Sequence, residues 1–452
     1  MDQLNKLTSF PYNQVLVLGL AKSGEAAAKL LNSSGVSVRV NDQKPFSENP
    51  QAQSLYNEGI EVVTGGHPLS VLDGIGYVVK NPGIPYTNPI VETAVERGVP
   101  VVTEIELAYM LHEGPIVAIT GSNGKTTTTT LVYEMLSNSK KPVALAGNIG
   151  KVSCEVAQKT SPEETMVMEL SSFQLLGTET FKPDVSVFLN LYEAHLDYHK
   201  TMEHYGQSKA KIFANQTSQD YAVYNADHQE VRKLVQQTKA QTIPFSLISK
   251  QPDGIWTDGT SIYYKDAFII KQNEILLEGD HNLENTMAAI AASLLAGATV
   301  EGIREVLTTF TGVEHRLQYV KDVKGRRFFN DSKATNILAA QKALNAFSEP
   351  TIWLAGGLDR GQSFEELDPS MEHVKAMVVF GETGEKLRDF GTKNGIETIL
   401  MVDNVKQAAE EAYRISAEQD VILLSPACAS WDQYKTFEER GNMFVRAVHT
   451  LE

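Results

Sequence analysis

The sequence predicts an α/β protein made of three domains with mostly parallel β-sheets. Short apolar stretches, such as residues 14–20 and 185–191, alternate with helical stretches along nearly the whole chain. This alternation is typical of parallel strands joined by crossover helices. A chain of 452 residues has room for about three domains. Changes in the pattern near residues 103 and 312 place the predicted domains at 1–103, 104–312 and 313–452.

The composition indicates a globular protein and argues against several classes of partner. Hydrophobic residues make up 42% and charged residues 21% of the chain, which is ordinary for a globular protein. The formal net charge of -16 argues against a nucleic-acid partner, because a phosphate backbone requires a basic face. Two cysteines fit a reducing compartment. We see no secretory leader and no apolar run of roughly 18–20 residues. We therefore expect a cytoplasmic protein without a membrane partner, and we take it to be a monomer.

The first predicted strand ends in a glycine loop. The segment GLAKSG, residues 19–24, lies between a strand and a helix, and Asp42 ends the next strand. This is close to the dinucleotide fingerprint G-x-G-x-x-G, except that Ala21 replaces the glycine that lets a pyrophosphate approach. Two interpretations stay open: an ordinary strand-to-helix turn, or a nucleotide-diphosphate site at a helix N-terminus. The segment KNPGIP then places Gly83 where a base could lie against bare backbone.

The central domain contains a segment that predicts a phosphate-binding loop. TGSNGKTT, residues 120–127, follows an apolar strand and precedes a helix, which is the required context. Backbone N–H groups of such a loop point at phosphate oxygens, Lys125 would pair with the β- and γ-phosphates, and the Thr126 hydroxyl would reach Mg²⁺. The segment departs from the common pattern G-x-x-x-x-G-K-[ST], because Ile119 stands at its first glycine and Gly121 follows. By itself the loop predicts a site for ATP or GTP.

Polar side chains at two further strand ends suggest support for a metal ion. Glu169 ends one predicted strand, and a carboxylate beside a phosphate loop suits Mg²⁺, which prefers oxygen ligands. His195, Asp197 and His199 follow another strand and leave three interpretations open: a zinc site, a helix cap, or a second metal-bearing edge of the nucleotide site. Lys209 follows on a predicted helix, and from the residues alone it is interpreted as an ordinary surface lysine.

Three late strand ends predict a further binding site in the C-terminal domain. Polar and charged residues cluster after each strand, and ligands bind at the carboxyl edge of parallel sheets. Such a cluster can meet a γ-phosphate or an incoming anionic substrate, whereas ordinary loop chemistry is the alternative for each segment alone. The candidate residues are Arg316, Asp331, Lys333, Thr335, Asn336, Arg360, Ser425, Ser430, Tyr434 and Phe437.

Taken together, these segments resemble the Mur ligases. The residues that carry the resemblance read TGSNGKTT, MELSSFQL, NLYEAHLDYH, GDHNLEN, EHR, NDSKATN, GGLDRG and SPACASWDQYKTFEERG, in coherent order across all three predicted domains. The last three motifs make the chain most similar to the D-glutamate-adding members of the family. The resemblance implies a Rossmann-like N-terminal domain, a central P-loop ATPase-like domain with a mostly parallel sheet, and a Rossmann-like C-terminal domain.

The resemblance also implies a reaction. ATP phosphorylates the carboxylate of UDP-N-acetylmuramoyl-L-alanine, the amine of D-glutamate attacks the acyl phosphate, a tetrahedral intermediate forms, and phosphate leaves. The product contains a new amide bond in a peptidoglycan precursor, and ATP and Mg²⁺ are implied as cofactors. Much of the catalysis would be positioning, because three substrates have to meet.

Roles for individual residues follow from the same resemblance. The catalytic residues would be Lys125, His195, Lys209 and Lys333. The ATP site would be formed by Gly121, Ser122, Asn123, Gly124, Lys125, Thr126, Thr127, Asn282, Arg316 and Asp331. The UDP-substrate site would be formed by Leu20, Ala21, Lys22, Ser23, Gly24, Asp42, Gln43, Lys44, Asn81, Gly83, Asn148 and His195. D-Glutamate would meet Lys333, Thr335, Arg360, Ser430 and Phe437. The metal ligands would be Thr126, Glu169, His195 and Lys209, the last as a lysine carbamylated by CO₂.

Other functions compete with this prediction. Another Mur ligase or a folylpolyglutamate-type ligase would share the ATP site but take a different acceptor, and the motif SPACASWDQYKTFEERG argues against them. A P-loop ATPase without a covalent product would leave Lys333, Arg360 and Ser430 without a role. A nicotinamide oxidoreductase is disfavoured by Ala21 and does not need the second loop.

Overall fold

The computed structural model describes residues 4–277 and 279–451, and the chain divides into two compact units, Met1–Phe310 and Thr311–Glu452. Within the described ranges the chain forms three β-sheets flanked by helices. The predicted α/β class with mostly parallel sheets is confirmed. The first two sheets lie in the first compact unit, so the domain boundary at residue 103 stays a prediction. None of the described helices combines the length and the apolar character needed to cross a membrane.

The first sheet is parallel throughout and is covered by helices. Its elements are β1 (Gln14–Leu18), α1 (Lys22–Ser33), β2 (Ser37–Asp42), a 3₁₀ turn (Phe46–Glu48), α2 (Pro50–Asn57), β3 (Glu61–Thr64), a 3₁₀ turn (Leu69–Leu72), β4 (Tyr77–Lys80), α3 (Pro89–Glu96), β5 (Val101–Val102) and α4 (Glu104–Leu111). The strand order is β3-β2-β1-β4-β5. The inner strands β1 and β4 are largely apolar and buried, as expected for a parallel sheet with helices on both faces. This order brings the carboxyl ends of β1, β2 and β4 together, where such sheets bind nucleotides.

The second sheet begins with parallel strands and ends in an antiparallel meander. Its strands are β6 (Ile116–Thr120), β7 (Val143–Gly147), β8 (Thr165–Glu169), β9 (Val185–Phe188), β10 (Tyr221–Asn225), β11 (Gln241–Ser246), β12 (Ile255–Thr257), β13 (Ser261–Tyr264) and β14 (Ala267–Lys271). Its helices are α5 (Lys125–Asn138), α6 (Ser153–Ala157), α7 (Ser172–Leu176), α8 (Leu196–His199), α9 (Met202–Ala210), the 3₁₀ turn Lys211–Phe213, α10 (Gln229–Val235), the 3₁₀ turn Gln272–Glu274, α11 (Asp280–Leu295) and α12 (Val300–Leu307). The strand order is β14-β13-β12-β11-β10-β9-β6-β8-β7.

Helices α5 and α11 of this sheet pack against each other. The facing part of α11 is rich in alanine, and residues 287–292 are fully buried. Small side chains let two helices approach closely, since less volume separates their axes. The contact places the start of α11 beside the start of α5, at the carboxyl edge of β6.

The third sheet forms the second compact unit. Its elements are β15 (Gln318–Val323), β16 (Arg326–Asn330), α13 (Ile337–Leu344), β17 (Thr351–Gly356), a 3₁₀ turn (Glu365–Ser370), β18 (Val374–Phe380), α14 (Gly384–Lys393), β19 (Thr398–Met401), α15 (Val405–Ile415), β20 (Val421–Leu424) and α16 (Phe437–His449). The strand order is β15-β16-β20-β17-β18-β19, with β15 antiparallel to β16 and the other pairs parallel. The carboxyl ends of β16, β20 and β17 are therefore neighbours, as the late polar motifs predicted.

Candidate functional site

The predicted phosphate loop connects the end of β6 to the start of α5. Gly124 precedes the helix with a left-handed backbone, at φ +80°. A Cβ at position 124 would collide with Oδ1 of Asn285 on α11. Only glycine combines that conformation with so close an approach. The first N–H groups of α5 have no acceptors within the helix, and this is the geometry that binds phosphate.

Side chains on both sides hold this loop in place. Lys125 Nζ donates hydrogen bonds of 2.9 Å to the carbonyl oxygens of Gly121 and Ser122. Asn190, just after β9, accepts a hydrogen bond of 2.8 Å from the Asn123 N–H. The loop shape is therefore set by the protein's own hydrogen bonds, with the Lys125 ammonium folded back onto it.

Glu169, the last residue of β8, is bound by two polar side chains. Thr126 Oγ1 donates to its Oε2 at 2.8 Å, and Asn148 Nδ2 donates to its Oε1 at 2.8 Å. Hydroxyl and carboxylate oxygens are the hard donors that Mg²⁺ prefers, and such an ion is usually bound by few protein ligands together with phosphate and water. The predicted ligands Thr126 and Glu169 therefore fit a magnesium ion. Asn148, predicted to contact the UDP substrate, lies against Glu169 beside the phosphate loop.

His195 directly precedes the short helix α8, His199 is its last residue, and both side chains stay uncharged. His195 precedes α8 with φ +56°, and its ring packs edge-on against Phe173 at 5.0 Å between centres. Burial, and then the charge of Lys209, hold the His195 pKa below its ordinary value. His199 Nε2 lies 2.9 Å from the Ser172 hydroxyl, and burial lowers the His199 pKa to about 4. Both imidazoles are therefore neutral at pH 7, the form that binds metal ions.

A zinc site built on His195, Asp197 and His199 lacks the ligands that zinc needs. In the described ranges, no group of three or more histidine, cysteine or carboxylate side chains is placed to hold a metal ion. Protein zinc sites take three or four such ligands. His195 occupies the N-cap position of α8, but its backbone is left-handed and its side chain makes no capping hydrogen bond within the described ranges. Its part in a metal-bearing edge stays a prediction.

Lys209 is buried beside the phosphate loop. It is 1% exposed, so the interpretation as a surface lysine is wrong. Its Nζ donates to the Gly121 carbonyl at 2.8 Å and lies 4.7 Å from the centre of the Tyr205 ring. Burial, followed by the charge of Lys125, holds the Lys209 pKa well below its ordinary value. Helix α9 thus brings an amine that loses its proton easily to the carbonyl side of the loop.

The glycine loop after β1 is held by the strand end after β2. The Leu20 N–H donates to Asp42 Oδ2 at 2.7 Å, and the Lys44 N–H donates to Oδ1 at 2.9 Å. A Cβ at position 24 would collide with the Gly19 carbonyl, so α1 starts directly against the loop. Asp42 therefore shapes the loop with both oxygens, and a ribose would have to use their remaining lone pairs.

The turn after β4 completes this edge of the first sheet. Asn81 Nδ2 donates to the Ser23 hydroxyl at 3.1 Å, and the Gly83 N–H donates to Asn81 Oδ1 at 3.1 Å. The structure thus brings the predicted residues of three strand ends together. The exposed members of the set are Ala21, Lys22, Gln43, Lys44 and Gly83.

In the second compact unit, Asp331 lies just after β16. It is 6% exposed, its Oδ2 accepts from the Ser425 hydroxyl at 3.0 Å, and its Oδ1 accepts from the Leu317 N–H at 3.1 Å. Burial raises the pKa of Asp331 to about 7, against the opposing effects of these hydrogen bonds and of the Arg316 charge. The carboxyl group therefore exists in both protonation states near neutral pH.

Among the residues predicted to bind D-glutamate, two cations contact aromatic rings, and one hydroxyl has no hydrogen-bond partner in the described part of the chain. Lys333 Nζ lies 5.8 Å from the centre of the Phe437 ring, and the Arg360 guanidinium lies 4.8 Å from the centre of the Trp431 ring. Ser430 is 1% exposed, and its hydroxyl makes no hydrogen bond within the part of the chain that the structure describes. A buried hydroxyl without a partner costs free energy, so a ligand that bonds to it gains affinity.

Arg440 is a central residue of this unit that the sequence analysis missed. It is fully buried on α16, and it donates to the Ser332 hydroxyl at 3.1 Å and to the carbonyl oxygens of Ser332, Cys428 and Gly356 at 3.0, 3.1 and 3.3 Å. It thereby joins the carboxyl ends of β16, β17 and β20. The sequence offered one sign that Arg440 faces the core: it lies four residues before Phe444, and this spacing places both side chains on the same face of a helix.

The predicted ATP residues are divided between the compact units. Asn282 lies in the first turn of α11, three residues before Asn285, which the sequence analysis did not single out. Arg316 and Asp331 belong to the second unit. Thr335 also lies there, where its N–H donates to the Lys333 carbonyl at 2.9 Å.

Comparison with known protein families gives the class of the protein. The description "Mur ligase MurD-like, N-terminal domain" matches residues 13–103, "Mur ligase middle domain" matches residues 119–293, and "Mur ligase, glutamate ligase domain" matches residues 315–428. The chain belongs to the Mur ligase family.

Individual relatives narrow the class to one kind of Mur ligase. The chain is 57% identical over 445 residues to a UDP-N-acetylmuramoylalanine--D-glutamate ligase of Geobacillus kaustophilus, covering 98% of this chain and 99% of the relative. It is 54% identical to the protein of the same name from Bacillus subtilis, covering 97% of each. Within its family the chain therefore stands with the D-glutamate ligases, as its motifs predicted.

Solved structures agree on the fold. The UDP-N-acetylmuramate-alanine ligase of Thermotoga maritima matches with a TM-score of 0.54 at 19% identity, over 97% of this chain and 100% of that one. The MurF ligase of Thermotoga maritima, in complex with ADP, matches with a TM-score of 0.54 at 18% identity, over 99% of each chain. At this identity the comparison supports the architecture alone.

Proposed function

We propose that the chain joins D-glutamate to UDP-N-acetylmuramoyl-L-alanine in an ATP-dependent reaction that builds a peptidoglycan precursor. One observation carries the proposal: a phosphate loop with Glu169 and Lys209 buried against it lies in a chain whose full-length relatives are named for this activity. A folylpolyglutamate-type ligase is not favoured, because the family descriptions and the relatives agree on a Mur ligase of the D-glutamate type.

The phosphate loop would bind the β- and γ-phosphates of ATP. Its backbone N–H groups and the Lys125 ammonium supply positive charge where the phosphoryl group is transferred. Thr126 and Glu169 would hold Mg²⁺, with His195 and a carbamylated Lys209 as further ligands. When bound, the ion neutralises charge on the phosphoryl oxygens and orients them.

The buried amine of Lys209 is suited to reaction with CO₂. The lone pair of the deprotonated Nζ forms an N–C bond with CO₂, and a proton leaves to solvent, which yields a carbamate anion. The lowered pKa supports this step, because an ammonium group has no lone pair to donate. The nearby Lys125 charge, which disfavours an ammonium at this position, would favour an anion there.

The first sheet would hold the UDP substrate. The start of α1, with the loop of residues 20–24, offers free N–H groups to the diphosphate. Asn81 and Gly83 line the same edge through the bonds to Ser23 and to each other. Asn148 and His195 would meet the muramoyl-alanine end, beside the phosphate loop.

The second compact unit would hold D-glutamate. Lys333 and Arg360 supply cations for its two carboxylates, and the Ser430 hydroxyl supplies an unused donor. Phe437 and Thr335 complete the predicted set, with the Phe437 ring in contact with Lys333. The Arg360 guanidinium can bind a carboxylate through two parallel hydrogen bonds, which fixes its orientation.

The reaction then proceeds in two transfers. A carboxylate oxygen of the L-alanine residue attacks the γ-phosphorus, the bond from that phosphorus to the ADP oxygen breaks, and an acyl phosphate forms. The free amine of D-glutamate attacks the acyl carbon, and the tetrahedral intermediate collapses as the C–O bond to phosphate breaks. The amine proton passes to solvent, which leaves an amide, ADP and phosphate.

The three predicted domains would divide this work. Residues 1–103 would bind the UDP substrate, residues 104–312 would bind ATP, and residues 313–452 would bind the amino acid. The ranges of the three matching family descriptions support this division. The net charge of -16 argues against a nucleic-acid partner, and the two cysteines fit a reducing, cytoplasmic compartment. We take the enzyme to act as a monomer.

One assay tests the proposal. The protein is incubated with ATP, Mg²⁺ and UDP-N-acetylmuramoyl-L-alanine together with one amino acid at a time, and phosphate release and product mass are followed. D-Glutamate should yield a product heavier by one glutamyl residue. If another amino acid forms an amide and D-glutamate does not, the acceptor assignment is wrong.

A further inference from the structure

Lys80, the last residue of β4, is a buried cation held mainly by carbonyl oxygens. It is 1% exposed, and within the described ranges it forms no ion pair. Its Nζ donates to the carbonyl oxygens of Ile84 at 2.9 Å and of Pro82 at 3.4 Å, and it lies 4.8 Å from the centre of the Tyr86 ring. Burial lowers the Lys80 pKa to about 8. Because burying an unpaired charge is costly, a lysine in this place points to a specific task.

The ammonium closes the turn that follows β4. The Ile84 N–H donates to the Asn81 carbonyl at 3.0 Å, so residues 81–84 form a tight turn. This turn packs directly on the glycine loop after β1: a Cβ at position 19 would lie 2.9 Å from Ile84 Cδ1 and 3.0 Å from Asn81 Cβ. The turn and the loop that we assign to UDP therefore pack directly against each other.

A side chain of helix α8, which belongs to the second sheet's set of helices, reaches the same turn. The Tyr198 hydroxyl donates to the Ile84 carbonyl at 3.2 Å. The Tyr198 ring packs edge-on against Phe173 at 4.7 Å, and Phe173 packs against His195 at 5.0 Å. One carbonyl oxygen thus accepts hydrogen bonds from both Lys80 and Tyr198, which uses both of its lone pairs.

We propose that Lys80 and Tyr198 are positioning residues that hold the 81–84 turn between the glycine loop and the His195 segment. They thereby set the spacing between the two ends of the UDP-substrate site. The inference rests on the proposed function, since it assigns the glycine loop and His195 to one long substrate. Neither side chain needs to touch the substrate for this task.

Two variants test the inference, with a third as the matched control. Lys80→Met keeps an unbranched side chain one atom shorter and removes the charge, Tyr198→Phe removes one hydroxyl, and Tyr56→Phe makes the same change at an exposed position on α2. We measure kcat, the KM for each of the three substrates, and the thermal midpoint. A lost hydrogen bond should raise the KM for UDP-N-acetylmuramoyl-L-alanine about fivefold in Tyr198→Phe and tenfold or more in Lys80→Met. We expect kcat, the KM for ATP and the KM for D-glutamate to stay within about twofold, because the proposed task concerns only the spacing within the UDP-substrate site.

The double variant adds a second readout. Both side chains act through the Ile84 carbonyl. The KM of the double variant for the UDP substrate should therefore be close to that of Lys80→Met, and the two fold-increases should not multiply. Tyr56→Phe should match the unchanged protein throughout.

Several results would overturn the inference. One is an unchanged KM for the UDP substrate in both single variants of an active enzyme. Another is a general loss, in which kcat, every KM and the thermal midpoint worsen together. If Lys80→Met does not fold, Tyr198→Phe alone decides between these results.

A direct binding measurement distinguishes failure of this inference from failure of the proposed function. If the unchanged protein forms no product, calorimetric titration with UDP-N-acetylmuramoyl-L-alanine in the absence of ATP replaces the kinetic assay. Weaker binding by both variants then supports the inference while the proposed reaction fails. An unchanged protein that neither reacts with nor binds this substrate overturns both.

Discussion

Glu104 offers a prediction whose size can be worked out from the structure. It is the first residue of α4, it is 2% exposed, and its Oε2 accepts a hydrogen bond of 3.1 Å from the Cys154 N–H on α6. Burial raises the pKa of Glu104 from 4.5 to about 7, against the opposing effect of its hydrogen bonds to Cys154. The perturbation is Glu104→Gln, because glutamine has nearly the shape of the neutral acid and does not ionise.

The sign and size of the effect on the free energy of unfolding follow from proton linkage. The folded protein holds a proton on Glu104 at pH values where the unfolded chain has released it, so this contribution to stability is complete below pH 4.5. It is lost as the pH rises from 4.5 through 7, and above that range the folded state contains a buried, charged carboxylate. At about 1.4 kcal/mol for each pH unit between the two pKa values, the loss amounts to roughly 3 kcal/mol. Glu104→Gln should therefore lie within about 1 kcal/mol of the unchanged protein at pH 5 and exceed its stability by up to roughly 3 kcal/mol at pH 8.5.

The assay has to report on the first compact unit. We would compare urea-induced unfolding at the two pH values by hydrogen exchange in peptides that cover residues 104–111 and 153–157, for both proteins. At each pH, the unfolding free energy of the unchanged protein is subtracted from that of Glu104→Gln. The contributions of the other titrating groups are the same in both proteins and therefore cancel. Glu113→Gln, at an exposed position after the same helix, is the control and should show no such pH-dependent gain. If the unchanged protein and Glu104→Gln lose the same stability between pH 5 and 8.5, the reasoning is refuted.

Three further predictions concern the site. Lys125→Ala should lower kcat by about 10³-fold or more, because a positive charge at the transferred phosphoryl group is lost. Steady-state phosphate release measures this effect, and Lys141→Ala, at an exposed position, is the control. Lys209→Ala should also be nearly inactive, and short carboxylic acids should restore part of its activity. The activity of the control variant Lys211→Ala should not respond to these acids. Wild-type-like activity of Lys209→Ala would rule out the carbamate. Ser430→Ala should raise the KM for D-glutamate about fivefold without lowering the urea midpoint, because the removed hydroxyl has no partner in the described chain. A lower midpoint with an unchanged KM would show that the hydroxyl serves the fold instead.

Much of the phosphate site could be predicted because it is local in the chain. The loop 120–127, its strand and its helix are consecutive, and the Gly-Lys-Thr sequence restricts the backbone wherever the segment lies. The strand ends that carry Glu169 and Asp331 could be recognised in the same way, since apolar strands stop visibly at a charged residue. The glycine loop after β1 was also recognisable, although Ala21 left its meaning open.

The residues that sequence reasoning missed depend on distant contacts. Arg440 joins loops from three strands, and Asn285 occupies the space left by the missing Cβ of Gly124. Neither role can be read from neighbouring residues, because the partners are separated by many positions in the chain. Lys80 shows the same limit, because Tyr198, which shares the Ile84 carbonyl with it, lies more than a hundred positions away in the chain.

The sequence by itself determined the α/β class, the phosphate loop and the family of this protein, since each follows from consecutive residues with a fixed chemical meaning. Only the tertiary structure decided the state of the individual side chains. Lys209 looks like a surface cation in a polar helix, yet packing removes it from water and lowers its pKa beside the Gly121 carbonyl. The physical reason is that desolvation depends on everything within a few ångströms of a group, and most of what surrounds Lys209 comes from other parts of the chain.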